Sequence, residues 1–129
     1  MFSDNELKAF IPTVRPDKAK SFYRDVLGLK LISEDKFALE FDANGTRLRV
    51  NSVREFNPYP FTVLGWDVGN IVSTIKSLNK KKIFFEKYDF LEQDELGIWT
   101  APGGTKVAWF KDPDGNILSL SEYPSENKL

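Results

Sequence analysis

One structural pattern is written twice in this chain. A strand, a helix with a recognisable start, further strands and a tight hairpin run through the first half, and the same order recurs in the second. The copies match best at their hairpins, where Asn44-Gly45-Thr46-Arg47-Leu48-Arg49-Val50 lies over Asp114-Gly115-Asn116-Ile117-Leu118-Ser119-Leu120, residue for residue. Asn-Gly and Asp-Gly between alternating segments are the strongest short signals for a hairpin, because both tolerate the positive φ that a tight turn needs. Such a duplication restricts the fold sharply, since each copy must bury the same apolar face in the same way.

In the first copy, Leu7 to Val14 alternates as a strand, with Pro12 and Pro16 marking its end. Arg15-Pro16-Asp17 opens a helix, Pro16 suiting its first turn, and Ala19, Phe22, Tyr23 and Val26 form an apolar stripe at i, i+3, i+4 and i+7. Gly28 is placed to end it. Strands are then expected at Leu29 to Ser33, Phe37 to Phe41 and Thr46 to Val53.

The second copy begins with a strand from Phe61 to Val68 and a helix capped by Asn70, with Ile71, Ile75 and Leu78 on its apolar face. Ile83-Phe84-Phe85 reads as extended, and strands follow at Lys106 to Phe110 and Ile117 to Ser121. The stretch Glu86 to Thr105 is longer than its counterpart. With Gly97-Ile98-Trp99 and Pro102-Gly103-Gly104, it reads as an extra short strand or flap over one end of the sheet. The join, Glu55-Phe56-Asn57-Pro58-Tyr59-Pro60, has the composition of a linker. The expectation is one α+β domain over residues 1–129, built of two βαβββ modules at about 7–54 and 60–123, with a central groove where they meet as the default binding site.

Composition narrows the chemistry. The 129 residues include no histidine and no cysteine, which excludes disulfides, thiolate catalysis, zinc-thiolate sites and any Ser-His-Asp arrangement. Eighteen basic residues balance nineteen acidic ones, so no overall field draws the chain to nucleic acid or to an anionic membrane. The run Lys80-Lys81-Lys82 follows a helix, where cations offset the helix dipole. No apolar run is long enough to span a bilayer, and the polar amino terminus is unlike a secretory signal, so a soluble cytoplasmic protein is expected.

Ser21-Phe22-Tyr23-Arg24-Asp25-Val26-Leu27-Gly28-Leu29 and Trp109-Phe110-Lys111-Asp112-Pro113-Asp114-Gly115-Asn116, in this order within a duplicated chain, closely resemble the vicinal oxygen chelate superfamily. This is the glyoxalase, bleomycin-resistance and extradiol-dioxygenase group, and the likeness runs from about Leu7 to Tyr123. The resemblance implies a pair of facing modules, a frequent homodimer and, in metal-using members, four inward side chains that hold a divalent ion. Carried over residue by residue, those positions are Lys8, Arg49, Val63 and Ser119. Lysine and arginine repel a divalent cation, valine has no lone pair and serine is a weak ligand. No metal and no other cofactor is therefore expected.

Lys8 and Arg49 suggest a site for an anion, with Arg49 able to grip a carboxylate or phosphate in bidentate fashion. Each could instead reach to solvent or pair with Glu40. Of the three tryptophans, Trp99 is the ligand candidate, Trp66 is expected to pack under the helix and Trp109 to be structural. Asp112-Pro113-Asp114-Gly115-Asn116 and Pro102-Gly103-Gly104 read as turns. The expected ligand-binding residues are Lys8, Phe10, Arg49, Trp99 and Ser119, and the expected partner is a small anionic or aromatic, antibiotic-like molecule. Two alternatives stand beside this: a glyoxalase-type lyase or isomerase using Lys8 and Arg49 as electrophiles, and an interaction module with no ligand of its own.

Overall fold

Alternation becomes strand and the apolar stripes become helix, in the order read from the sequence. The computed structural model describes residues 1–125; residues 126–129, the end of the expected domain, lie outside them. The chain divides into two compact units, Met1–Pro58 and Tyr59–Leu129, at the proline-bearing join between the copies.

The first unit contains β1 (Lys8–Thr13), α1 (Pro16–Ser21), β2 (Lys30–Glu34), β3 (Ala38–Ala43) and β4 (Thr46–Ser52). Its sheet has the order β1-β4-β3-β2, with β1 and β4 parallel and the other pairs antiparallel. A short 3₁₀ turn, Phe2–Asp4, precedes it. Pro16 occupies the first turn of α1, and the helix runs on into a π-helical turn, Phe22–Val26, closed by Leu27 N–H donating to the Phe22 carbonyl at 2.9 Å. Gly28 ends it at φ +75, a conformation that only glycine adopts cheaply.

One face of this sheet is the core. Ile11, Leu39, Phe41, Leu48 and Val50 are buried there with Ala19, Phe22 and Tyr23 from the helical segment. The Tyr23 and Phe41 rings lie 5.9 Å apart, and both side chains are fully buried. Period-two alternation turns Lys8, Phe10, Arg47, Arg49, Glu40 and Asp42 to the opposite, open face.

The second unit repeats the topology with β5 (Thr62–Asp67), α2 (Ile71–Lys80), β6 (Trp99–Thr100), β7 (Lys106–Lys111) and β8 (Ile117–Glu122), in the order β5-β8-β7-β6. Asn70 caps α2 by accepting from Ser73 N–H, and the Glu122 carboxylate accepts from Ile71 N–H at 2.8 Å, fastening the helix start to β8. Ile71, Ile75 and Leu78 are buried, as are Ala108, Phe110, Leu118 and Leu120 on the core face of the sheet. Both units are thus βαβββ modules, and the α+β class holds. No helix among the described residues is long and apolar enough to cross a membrane.

The second strand of this module is the main departure from the sequence reading. Ile83-Phe84-Phe85 is not a strand. That role falls to Trp99–Thr100, which pairs with β7 and so is the module's own fourth strand, not an addition to it. Between α2 and β6 the chain makes a long irregular connection held by side chains. Gln93 Nε2 donates to the carbonyls of Glu86 and Gly97, and its Oε1 accepts from Tyr88 N–H. The Asp94 carboxylate accepts from the N–H groups of Leu96 and Ile98. Apolar content at residues 83–85 suggested a strand, but Phe85 packs its ring against Phe110, at 5.1 Å, and the backbone meets β7 through Glu86 N–H donating to the Trp109 carbonyl at 2.8 Å without extending into a ladder.

The two hairpins also differ. Asn44 and Gly45 both take positive φ, whereas only Gly115 does in the second. There Asp112 accepts from the N–H groups of Asp114 and Asn116 and from the Asn116 side-chain amide, each at 2.9 Å. These carboxylate contacts build the turn. Replacing Phe41 by alanine empties the fully buried centre of the first module. A loss of about 3–5 kcal/mol in unfolding free energy is expected, measured by chemical denaturation.

Candidate functional site

On the open face of the first sheet, pairing across β1, β4 and β3 sets Phe10, Arg49 and Glu40 in one row. The adjacent row holds Lys8, Arg47 and Asp42. Residues far apart in the chain are brought within side-chain reach by this register. Glu40 is its centre. Its Oε1 lies 3.3 Å from Lys8 Nζ and 3.6 Å from an Arg49 guanidinium nitrogen, and its Oε2 lies 3.1 Å from Arg47.

Three cations therefore share the Glu40 carboxylate, with the Asp42 carboxylate in the neighbouring row of the same face. The Glu40 side chain is 13% exposed, while Lys8, Arg47 and Arg49 are 47%, 40% and 34% exposed, so the cationic ends stay within reach of solvent. Burial pushes the Glu40 carboxyl upward, but hydrogen bonds and charge from Lys8 and Arg47 outweigh it, and its pKa is lowered overall. Arg49 has the longest contact to Glu40 and stands beside Phe10, a residue 57% exposed. Two residues further along β4, Asn51 Oδ1 is buried with no hydrogen-bond partner. An acceptor in that state is costly unless something donates to it.

The open face of the second sheet is chemically unlike the first. Gly65, Ser119 and Trp109 form the corresponding row across β5, β8 and β7. The Trp109 and Trp99 rings have centroids 6.3 Å apart, and Tyr88 meets Trp109 edge-on at 5.7 Å, followed by Phe90 at 5.5 Å from Tyr88. Burial, and then the Glu86 carboxylate, push the Tyr88 phenol above its ordinary value, so it stays a neutral hydroxyl. Beside this aromatic wall is an open cavity of about 670 Å³, whose lining includes Leu91, Gln93, Asp94, Ile98, Trp99 and Thr100. Gln93 and Asp94 already brace the connection with their side chains. Trp66 pairs with Leu120 and lies on the helix-facing side.

Of the five residues expected to bind a ligand, Lys8, Phe10 and Arg49 share the open face of the first sheet, and Trp99 and Ser119 share that of the second. Val63 falls at the irregularity between Thr62 and Leu64, so Gly65 and not Val63 stands beside Ser119. The sequence reading passed over Arg47, Asn51, Gly65 and Tyr88 and gave Trp109 a structural role. Alternation along β7, which sets Trp109 opposite the buried pair Ala108 and Phe110, was the signal available for that tryptophan.

A family model for the Glyoxalase/Bleomycin resistance protein/Dioxygenase superfamily matches residues 7–120. The chain belongs to this superfamily.

Solved structures agree in fold. A superfamily member from Sphaerobacter thermophilus superposes with a TM-score of 0.73 at 20% identity, covering 95% of this chain and 99% of that one. A lactoylglutathione lyase from Agrobacterium tumefaciens gives 0.71 at 15% identity, covering 92% and 93%. A glyoxalase family protein from Enterococcus faecalis gives 0.68 at 24% identity, covering 95% and 100%. No curated protein sequence matches the chain.

The residues present do not fit the divalent metal that the superfamily implies. Among the described residues no three of His, Cys, Asp or Glu gather where they could hold an ion, and Glu40 is surrounded by cations.

The Glu40 cluster has a pH signature. A carboxyl whose pKa is depressed by folding adds stability above its unfolded value and loses that contribution as pH falls through the folded value. Glu40→Gln is expected to flatten part of the acid-side fall in denaturation midpoint below the ordinary glutamate range, while the slope above that range is unchanged. Denaturation midpoints measured across pH for both proteins check this.

Proposed function

We propose that this chain is a metal-independent member of its superfamily that binds a small anionic or aromatic, antibiotic-like organic molecule. The observation that carries the reading is the crowding of Lys8, Arg47 and Arg49 around the single carboxylate of Glu40 on an open sheet face. Such a cluster favours an incoming carboxylate or phosphate, because an added anion relieves repulsion among the three cations. Arg49 is the natural grip, being the one held least closely. Its planar fork can donate to two oxygens of a ligand, and the exposed Phe10 beside it supplies apolar contact.

The aromatic wall of Trp99, Trp109 and Tyr88 supports the second half of the reading, since stacking surfaces of this kind suit flat rings. A role for Lys8 and Arg49 as electrophiles in a lyase or isomerase would require them to leave Glu40 during turnover.

A thermal-shift panel of benzoate, 2-naphthoate and indole-3-carboxylate, run with and without EDTA, tests the proposal. At least one compound is expected to raise the midpoint, equally in both buffers. Arg49→Met is expected to weaken that compound by roughly ten-fold or more, the loss of a charge-assisted hydrogen bond. Stoichiometric divalent metal in the purified protein, a chelator-sensitive response, or no shift from any carboxylate would overturn it.

A further inference from the structure

Ser119 lies on the open face of its sheet, yet it is only 8% exposed. Its hydroxyl has no hydrogen-bond partner among the described residues. The rest of the residue is buried, whereas the hydroxyl is not among the enclosed side-chain oxygens that lack a partner and so still meets solvent, which leaves it available to a ligand. Its surroundings show where that something would sit. A methyl group added at Gly65, the neighbour on β5, would lie 2.8 Å from Ser119 Oγ, so the hydroxyl occupies the space above the glycine backbone. On the other side of Ser119, directly across from it on β7, is Trp109, with Trp99 and Tyr88 beyond.

From this the geometry points to a subsite for a planar aromatic ring that carries a hydroxyl or keto oxygen at its rim. The ring lies against the Trp109–Trp99 wall and its oxygen meets Ser119 Oγ. A serine hydroxyl both donates and accepts, so it satisfies either kind of oxygen, whereas a purely apolar ring would bury the hydroxyl and leave it unpaired. Gly65 is the specificity-determining residue. Without a side chain it leaves the hydroxyl open, and any Cβ there forces the hydroxyl to turn away.

The corresponding row of the first module carries Phe10, Arg49 and Glu40 in place of Gly65, Ser119 and Trp109. At matching register positions one module presents charge, and the other presents a neutral hydroxyl and an aromatic face.

This subsite rests on the small-molecule reading above but uses none of the cationic residues, so uncharged probes test it separately. The probes are 2-naphthol and 2-methylnaphthalene, which have the same ring and differ in whether oxygen is present. Binding is followed by the indole ¹H–¹⁵N signals of Trp66, Trp99 and Trp109, assigned by substituting each tryptophan with phenylalanine. Titration with 2-naphthol is expected to move the Trp99 and Trp109 signals and leave Trp66, on the helix-facing side, as the internal reference.

The oxygen-bearing ring is expected to bind roughly five-fold more tightly than its methyl counterpart, the usual worth of one neutral hydrogen bond. Ser119→Ala is expected to bring the ratio close to one while the Trp99 and Trp109 shifts persist. Gly65→Ala is expected to lower the ratio likewise, with the far-ultraviolet spectrum confirming that the sheet is intact. Equal binding of the two probes by the unaltered protein, or an oxygen preference that survives Ser119→Ala, would overturn the subsite. So would movement of Trp66 without Trp99 and Trp109. A bound metal would overturn the wider reading without bearing on these shifts, so the two failures are distinguishable.

Discussion

The parallel pairing of the first strand of each module with its last, β1 with β4 and β5 with β8, sets which side chains share a face. Parallel strands have no local turn to fix their register, so the core does it. Ile11 and Val50 are paired and buried in the first module, and in the second the buried Leu118 and Leu120 of β8 pair with Leu64 and Trp66 of β5. A slip of one residue would carry the whole apolar set to the open face. The same constraint that buries these residues therefore puts Phe10 beside Arg49 and Gly65 beside Ser119.

From that register follows a division of labour inside a duplicated architecture. The buried faces of the two modules are close in chemistry, because both must cover a helical segment with aliphatic and aromatic side chains. The open faces are free of that requirement and have diverged. One gathers three cations on Glu40, and the other gathers tryptophans and a tyrosine around a hydroxyl. A donor set suited to a divalent ion is compatible with neither. The cations would repel it on the first face, and on the second no three of His, Cys, Asp or Glu gather among the described residues.

Much of the fold was legible because the signals were local. Asn44-Gly45 and Gly28 needed positive φ and took it, Pro16 and Asn70 stood at helix starts, and most strand limits differ from the alternation by only one or two residues. The second strand of the second module was not legible in this way. Two residues, Trp99 and Thr100, are too few to show a period, and three apolar residues at 83–85 gave a stronger but false one. The long connection before β6 is shaped by Gln93 and Asp94 bonding to backbone groups, a pattern with no periodic trace.

The sequence by itself determined the duplication, the superfamily resemblance and the lack of histidine and cysteine donors, since each depends only on residue identity and short-range spacing. It also supplied Lys8, Arg49, Trp99 and Ser119 as candidates. Only the tertiary structure decided what surrounds each of them. Glu40 became a hub because three strands meet there, and Trp109 joined Trp99 because β6 pairs with β7. Gly65 gained its role because a bulge beside Val63 shifts which residue faces Ser119. Contacts between strands distant in sequence are fixed by long-range register, and no local pattern encodes that.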